Sequence, residues 1–448
     1  MAPDIFNEQE WDTDLDDEEE GLDTGPPFRG LYRSICDKHG CHPNSYFVRH
    51  IEEKELRMKH RGFTKQESTA LGEILRSIIC VDTLDLEDNW LRNVGCKQLC
   101  KMLSDNDNIH EMDLSQNQLG MEAANHLSRM LKSNQSLQSL SLSANGFEDN
   151  IAAILAEALE DCRLKRLRLS KNQFGDRTGT ILGSVLAAND YIEVLDVSWN
   201  MIRGAGTTIL AKGLKENIRL RSLDLSWNGL GEKGGIALAD ALLVNSTLTE
   251  LDISANRLNN NVAIKFAKVI NSNDALQILR LNDNPISTSG AITLITALLN
   301  TSNHALEHLG LQGNPVEYEF LRTLRELQTE RKVTVTYGTV LRSGNTTQDL
   351  GKPAIGPAGP TKPVLIMEEN LIINNTKRLQ ELFTKYYITA AEKGMCNPEE
   401  LIECLKIMSP GLNMKQLSSV VQSIPRNHHN LIPLRGLFES KDCKIPAR

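Results

Sequence analysis

The feature that most restricts this chain is a period. The pattern L-x-x-L-x-L-x-x-N-x-L recurs with its asparagine at Asn89, Asn117, Asn145, Asn172, Asn200, Asn228, Asn256, Asn284 and Asn314. The steps are 28 residues, apart from one of 27 and a last of 30. A repeat of this length implies a stack of like units, because one unit cannot bury its own apolar face. In LDLSWNGL, Leu223 and Leu225 alternate with polar residues, as in a short strand with one buried side. The stretch from Gly231 to Asn245 places Ile236, Leu238, Ala241, Leu242 and Val244 at helical spacing. One strand and one helix per unit predict an α/β solenoid, a horseshoe with parallel strands on its concave face and helices outside. The asparagines are expected to stack as a ladder, their amides bonding loop backbone groups that would otherwise be buried unpaired.

The period also locates the ends. Twenty-eight residues before Asn89 stands Arg61, and Leu56, Met58 and Phe63 keep the apolar positions, so a degenerate repeat precedes the nine. Residues Gly30 to Ile51 read as an amino-terminal cap whose helix carries Leu31, Ile35 and Cys36 and stops near Gly40. Glu317 to Lys332 reads as a last helix and Val333 to Tyr337 as a closing strand. The expected organisation is an acidic disordered tail (1–27), the cap and degenerate repeat (28–80), nine repeats and the closing strand (81–337), a Pro/Gly-rich linker (338–366) and a small all-helical domain (367–448). Helices are expected there over Thr376–Tyr387, Asn397–Met408 and Asn413–Ile424, the second opened by Asn397-Pro398-Glu399-Glu400. The repeat length and full helix resemble the ribonuclease-inhibitor class of leucine-rich repeats, with residues 81–316 carrying the match.

Charge is unevenly spread over the 448 residues. The formal charge is -9, yet residues 1–25 hold eleven acids and neither Lys nor Arg, which leaves the remainder close to neutral. Such a balance argues against a protein built to neutralise nucleic-acid phosphates or anionic lipid, so neither nucleic acid nor membrane is an expected partner. The amino terminus lacks a signal-peptide pattern, and no run of about 18 apolar residues offers a membrane span. A cytoplasmic location is expected. Nine cysteines at irregular spacing then read as buried small hydrophobes.

Metal, cofactor and catalytic readings are weak. Taking Gly394 as an EF-hand loop glycine puts Thr389, Ala391, Lys393 and Glu400 at ligand positions and Cys396 on the loop strand. A lysine in the cage repels calcium, and the second candidate loop, Pro425–Gly436, ends in glycine where a glutamate belongs. A degenerate, metal-free pair is expected. Cys36, His39, Cys41 and His42 lack the second ligand pair a zinc site needs. Gly204-Ala-Gly and Gly231-Glu-Lys-Gly-Gly lack the Walker ending and read as repeat turns. No nucleophile, base and orienter grouping emerges, so no cofactor and no enzyme activity are expected.

The informative residues point away from the helices. Between the strand leucines runs the column Asp85, Asp113, Ser141, Arg168, Asp196, Asp224, Asp252, Arg280, Gly310. Just before each asparagine runs Asp88, Gln116, Ala144, Lys171, Trp199, Trp227, Ala255, Asp283, Gly313. Strands about 4.8 Å apart turn these columns into physical stripes. Trp199 and Trp227 fall side by side, with Asp196, Asp224 and Asp252 next to them and a basic island of Arg166, Arg168 and Lys171 one repeat away. Exposed Trp and Arg are the residues that most often anchor protein interfaces. The plainer reading is that each aspartate is common filler in this repeat class and each tryptophan folds over its neighbour.

The preamble Tyr32-x3-Cys36-x2-His39-Gly40-x2-Pro43, the degenerate-repeat residues Leu56, Met58, His60, Gly62 and Phe63, and Val81 to Leu91 together resemble the leucine-rich repeat-containing protein 74 family. The resemblance covers the acidic start, the cap and the solenoid. It implies an intracellular, non-enzymatic repeat protein, with more distant likeness to proteins of centrosomes and cilia. Three functions compete. The first is a scaffold holding a protein partner on the concave face. The second is a small-GTPase regulator, since the Ran GTPase-activating protein shares the repeat class. The third is a ribonuclease inhibitor, whose relatives are richer in cysteine and more acidic on the inner face.

Overall fold

The computed structural model describes residues 27–341, 395–408 and 432–433. Two compact units divide between Ser343 and Gly344. The first opens with helices α1 (Pro27–His39) and α2 (Ser45–His50), strand β1 (Glu55–Arg57) and helix α3 (Lys65–Ile74). Alternation then becomes regular: β2 (Thr83–Asp85), α4 (Arg92–Leu103), β3 (Glu111–Asp113), α5 (Met121–Ser133), β4 (Ser139–Ser141), α6 (Asp149–Asp161), β5 (Arg166–Arg168) and α7 (Asp176–Ala188). It continues through β6 (Val194–Asp196), α8 (Gly204–Glu216), β7 (Ser222–Asp224), α9 (Gly231–Leu242), β8 (Glu250–Asp252), α10 (Asn260–Ser272), β9 (Ile278–Arg280) and α11 (Thr288–Asn300). The unit closes with β10 (His308–Leu311), β11 (Val316–Glu317), α12 (Tyr318–Glu330), β12 (Thr334–Tyr337) and β13 (Val340–Leu341).

Strands β1 to β10 and β12 form one eleven-stranded sheet in chain order, every neighbour parallel. The degenerate repeat supplies β1, whose Leu56 pairs in register with Leu84. Each strand is short because only its central residue and the leucine two residues later face the helices. Leu223 and Leu225 are buried, whereas Ser222 and Asp224 remain half-exposed. Burying each such leucine contributes roughly 1.5–3 kcal/mol, and the row of them makes one continuous core from Tyr32 to Val333.

The asparagine ladder is present. Asn256 is typical: its Oδ1 accepts the N–H groups of Asn228 (3.0 Å), Gly229 (2.8 Å) and Leu230 (3.2 Å), while its Nδ2 donates to the carbonyls of Leu225 (2.8 Å) and Ser254 (3.0 Å). One side chain thus satisfies buried backbone on two repeats. A second ladder, which the sequence reading missed, runs along the opposite loops through Asn106, Asn134, Asn189, Asn217, Asn245 and Asn273. Asn245 Nδ2 donates to Leu214 and Asn217 carbonyls at 2.8 and 2.9 Å, and its Oδ1 accepts from Thr247 and Leu248 at 3.0 and 2.9 Å. Cys162 replaces the asparagine in the repeat that is one residue short, and Asn303 takes the place after two extra residues, Thr301 and Ser302. Both irregular steps of the period are therefore absorbed at this turn. Beyond Asn303 the ladder ends on Arg331, whose guanidinium donates to the Asn303 and Leu298 carbonyls at 2.9 Å each.

At the amino-terminal end α1 packs along α3. Helix α1 ends at Gly40, whose φ of +67° is a backbone state that suits glycine. Tyr32 packs edge-on against Phe47 at 4.6 Å between ring centroids, and Cys36 lies buried beside them. Leu31, expected to face inward, is largely exposed, as is Val244 beyond the end of α9. Val340 and Leu341, expected in the linker, instead pair as β13 with β11. Residues 342–366 of the expected linker and the acidic segment lie outside the described residues.

In the second unit, strand β14 (Met395–Cys396) pairs antiparallel with β15 (Ile432–Pro433), Cys396 opposite Ile432, and helix α13 (Pro398–Met408) follows β14. This strand pair amends the all-helical expectation. Helix α13 begins where the Asn-Pro-Glu-Glu start signal placed it, and Glu400 Oε2 accepts the Asn397 N–H at 2.8 Å. The helices expected over Thr376–Tyr387 and Asn413–Ile424, and the ligand positions Thr389, Ala391 and Lys393, fall outside the described residues.

Candidate functional site

The two outward columns are real stripes. Strand register sets Asp85 beside Asp113, Ser141 beside Arg168, Arg168 beside Asp196, and then Asp196, Asp224, Asp252 and Arg280 in succession. Trp199 and Trp227, 44% and 48% exposed, stack with ring centroids 4.2 Å apart and planes 10° off parallel. Their contact is with each other. At this exposure both rings keep indole surface open to solvent.

The tryptophans stand on an unfavourable backbone. The residue before each ladder asparagine from Asn89 to Asn284 donates its N–H to the next repeat, as Trp199 does to the Ser226 carbonyl at 2.9 Å and Trp227 to that of Ser254 at 3.0 Å. The position is left-handed throughout the solenoid, with φ of +54° at Trp199 and +58° at Trp227. Side chains there cost on the order of 1–2 kcal/mol relative to their ordinary conformation, and only Gly313 avoids it. Stacking returns about 0.5–1.5 kcal/mol. Two large aromatics at this position are not the choice that fold stability would make.

The aspartates have a structural duty that the sequence did not reveal. Oδ1 of Asp196, Asp224 and Asp252 accepts the N–H two residues ahead, from Ser198 (3.0 Å), Ser226 (2.8 Å) and Ser254 (2.9 Å). Each closes an Asx turn where the strand gives way to the loop. An asparagine could accept the same hydrogen without charge, so the turn does not explain three carboxylates in a row. Burial, with Asp252 and Asp196 on either side, pushes the Asp224 carboxyl up to about 6 from an ordinary 3.8. Asp113 is raised in the same way, by burial and then by Asp85 and Glu87.

The sign follows from proton binding. The native state holds the Asp224 proton at a pH where the unfolded chain has lost it, so ionisation disfavours folding fully above about pH 6 and not at all below pH 3.8. Asp224→Asn is therefore expected to raise the melting temperature at pH 7 and to shrink the gain that the parent shows on acidification to pH 5. Thermal melts of both proteins at the two pH values test this. A lower melting temperature for the variant at pH 7 would make the charge structural.

The basic island contracts. Arg166 is held by Glu111, two strands away, and so is committed within the sheet. Arg168 and Lys171 are exposed and make no ion pair among the described residues. At the other end of the acidic row Arg280 is held by Glu250. The expected surface thus becomes a stacked indole pair, a row of three carboxylates, and two free cations at one end. Met201, two residues past Trp199, adds an exposed apolar side chain. It stands in the sequence as the one thioether in a column otherwise filled by Trp90, Gln118, Gly146, Gln173, Gly229, Arg257, Pro285 and Pro315.

The other candidates have local roles. His39 Nε2 and Lys38 Nζ both lie 2.7 Å from the Glu73 carboxylate, and the Cys41 thiol faces the Cys36 carbonyl at 3.7 Å. Gly204 and Gly231 are the first residues of α8 and α9. No helix among the described residues is long and apolar enough to cross a membrane.

A family model described as leucine-rich repeat matches residues 133–156, 216–239 and 244–267. Among solved structures the chain is similar to the actin-binding site 2 of leiomodin-1, at 22% identity and a TM-score of 0.27, over 29% of this chain and 76% of that one. It is similar to Toll-like receptor 13 in complex with a single-stranded RNA, at 17% identity and a TM-score of 0.36, over 60% and 37% of the respective chains. An internalin from Listeria monocytogenes matches at 14% identity and a TM-score of 0.38, over 74% and 95%. The repeat class rests on the period and the eleven-stranded sheet rather than on these superpositions.

Proposed function

We propose that this protein is a non-enzymatic scaffold that holds a protein partner on the sheet face of its solenoid, centred on Trp199 and Trp227. The stacked, half-exposed indole pair carries the reading. It combines large aromatic surface with adjacent charge of both signs, the composition that concentrates binding energy at interfaces. The row of carboxylates favours a partner presenting a basic group there, and Arg168 and Lys171 favour an acid beside it. Tyr32 and Cys36, buried in the cap, and Leu56 and Met58, buried in the degenerate repeat, support membership of the leucine-rich repeat-containing protein 74 family. That membership carries a cytoplasmic reading with it.

Proximity labelling in native tissue, followed by pull-down with purified parent and the Trp199→Ala/Trp227→Ala double variant, is the test. Loss of two anchors is expected to weaken capture of the principal partner by roughly 30-fold or more, with the thermal melt little changed. Undiminished capture by a folded double variant would sink the reading. Regulation of a small GTPase is the second reading, favoured by the unpaired Arg168, since such activators supply an arginine to the nucleotide site. Stimulated GTP hydrolysis that disappears in Arg168→Ala would support it.

A further inference from the structure

On the helical side of the solenoid, away from the tryptophans, an open groove of about 880 Å³ runs across α3, α4 and α5. Lys65, Lys97 and Arg129 line it, with Glu122 as the one acid among its walls and Val94 as an exposed apolar patch. None of the three cations has an ion-pair partner among the described residues. Arg129 Nη2 lies 3.3 Å from His126 Nδ1, and burial together with Arg129 and Lys97 lowers the His126 pKa. The groove is therefore a site of net positive field that the fold leaves unanswered.

The complementary charge is on the same chain. Asp4 to Asp23 contains eleven acids and no base. This segment leads into α1, and α1 packs along α3 with the ends of the two helices together, Lys38 and His39 against Glu73. Two helices side by side with their last turns in contact have their first turns on the same side. The start of α1 therefore lies towards the start of α3, where Lys65 forms the near wall of the groove. From α3 to α5 is about 20 Å at an interaxial spacing of 8–10 Å. Some 26 residues of chain cover about 30 Å as a coil and up to about 85 Å extended. Tethering at this range amounts to an effective concentration in the millimolar range, which a foreign acidic peptide would have to exceed.

We infer that the groove bounded by Lys65, Lys97 and Arg129 is the docking site of the chain's own acidic segment, Asp4 to Asp23. Occupied, it hides those cations from acidic partners. The segment becomes a competitor that a stronger polyanion must displace.

Cleavage of the full-length protein by a glutamate-specific endopeptidase at Glu8, Glu10 and Glu18 to Glu20 reads the contact directly. At low salt, release of amino-terminal fragments is expected to be several-fold slower in the parent than in Lys65→Gln/Lys97→Gln/Arg129→Gln. The difference should close as salt rises and the Debye length falls to about 3 Å near 1 M. The three side chains are exposed and their replacements neutral, and a thermal melt checks that the variant is folded. Equal cleavage rates at low salt would overturn the inference. So would a groove in which Lys97 is protected from acetylation only when polyglutamate is added, because the occupant would then come from outside the chain.

Discussion

Asn256→Ala is expected to cost about 3–5 kcal/mol, a large share of the roughly 5–15 kcal/mol that holds an ordinary domain folded. The side chain makes five hydrogen bonds, three accepted from the backbone of the preceding repeat and two donated to carbonyls. Alanine leaves the buried N–H groups of Asn228 and Leu230 without a side-chain partner. Each orphaned buried group costs about 1–3 kcal/mol. Urea unfolding of the parent and variant gives the difference, with Asn150→Ala, an exposed position on α6, as the control expected to change little. A loss below about 1 kcal/mol would mean that the ladder is ornamental and that strand packing alone aligns the repeats.

Gly213→Ala is expected to be equally severe for an opposite reason. Helices α7 and α8 pack glycine on glycine: a Cβ at position 213 would stand 1.9 Å from the Gly183 carbonyl oxygen and 2.7 Å from its carbon. The obstacle is backbone, so no rotamer relieves it, and the two helices must separate. Overpacking in a rigid core costs about 1–3 kcal/mol and more where neither side yields. Gly229→Ala separates this clash from mere backbone preference, since that glycine has φ of +86° but open space around it. It should lose only about 1 kcal/mol. Comparable melting temperatures for the two variants would contradict the close helix contact.

What is legible in the sequence is whatever repeats with the period. Asn89 to Asn314 announce one ladder because they occur without a gap, and the stripe positions follow because parallel register transfers the period to space. Trp199 and Trp227 were therefore legible as neighbours. The second ladder was equally periodic at Asn189, Asn217, Asn245 and Asn273, but Cys162 interrupts it and Asn303 is displaced, so the column does not line up by simple counting. The aspartate turns were hidden for another reason. Asp224 binding its own loop and Asp224 awaiting a partner are the same letter. The Arg166 to Glu111 pair spans 55 residues and two strands, and no local pattern signals it. The left-handed backbone at Ala144, Lys171 and Trp199 leaves no trace in composition, since glycine occupies that position only at Gly313.

Arg331 has a meaning for how such a protein could lengthen. Along this turn each repeat presents carbonyls to its successor, and an asparagine answers them everywhere except at Cys162. Arg331 answers the last set with a guanidinium and offers nothing onward. It works as a stop codon does in a message: units duplicated upstream of it extend this asparagine rail, whereas a unit placed downstream meets only the sheet edge at β12. The second rail thus ends at one residue, and a duplication that lengthens it must fall before Arg331.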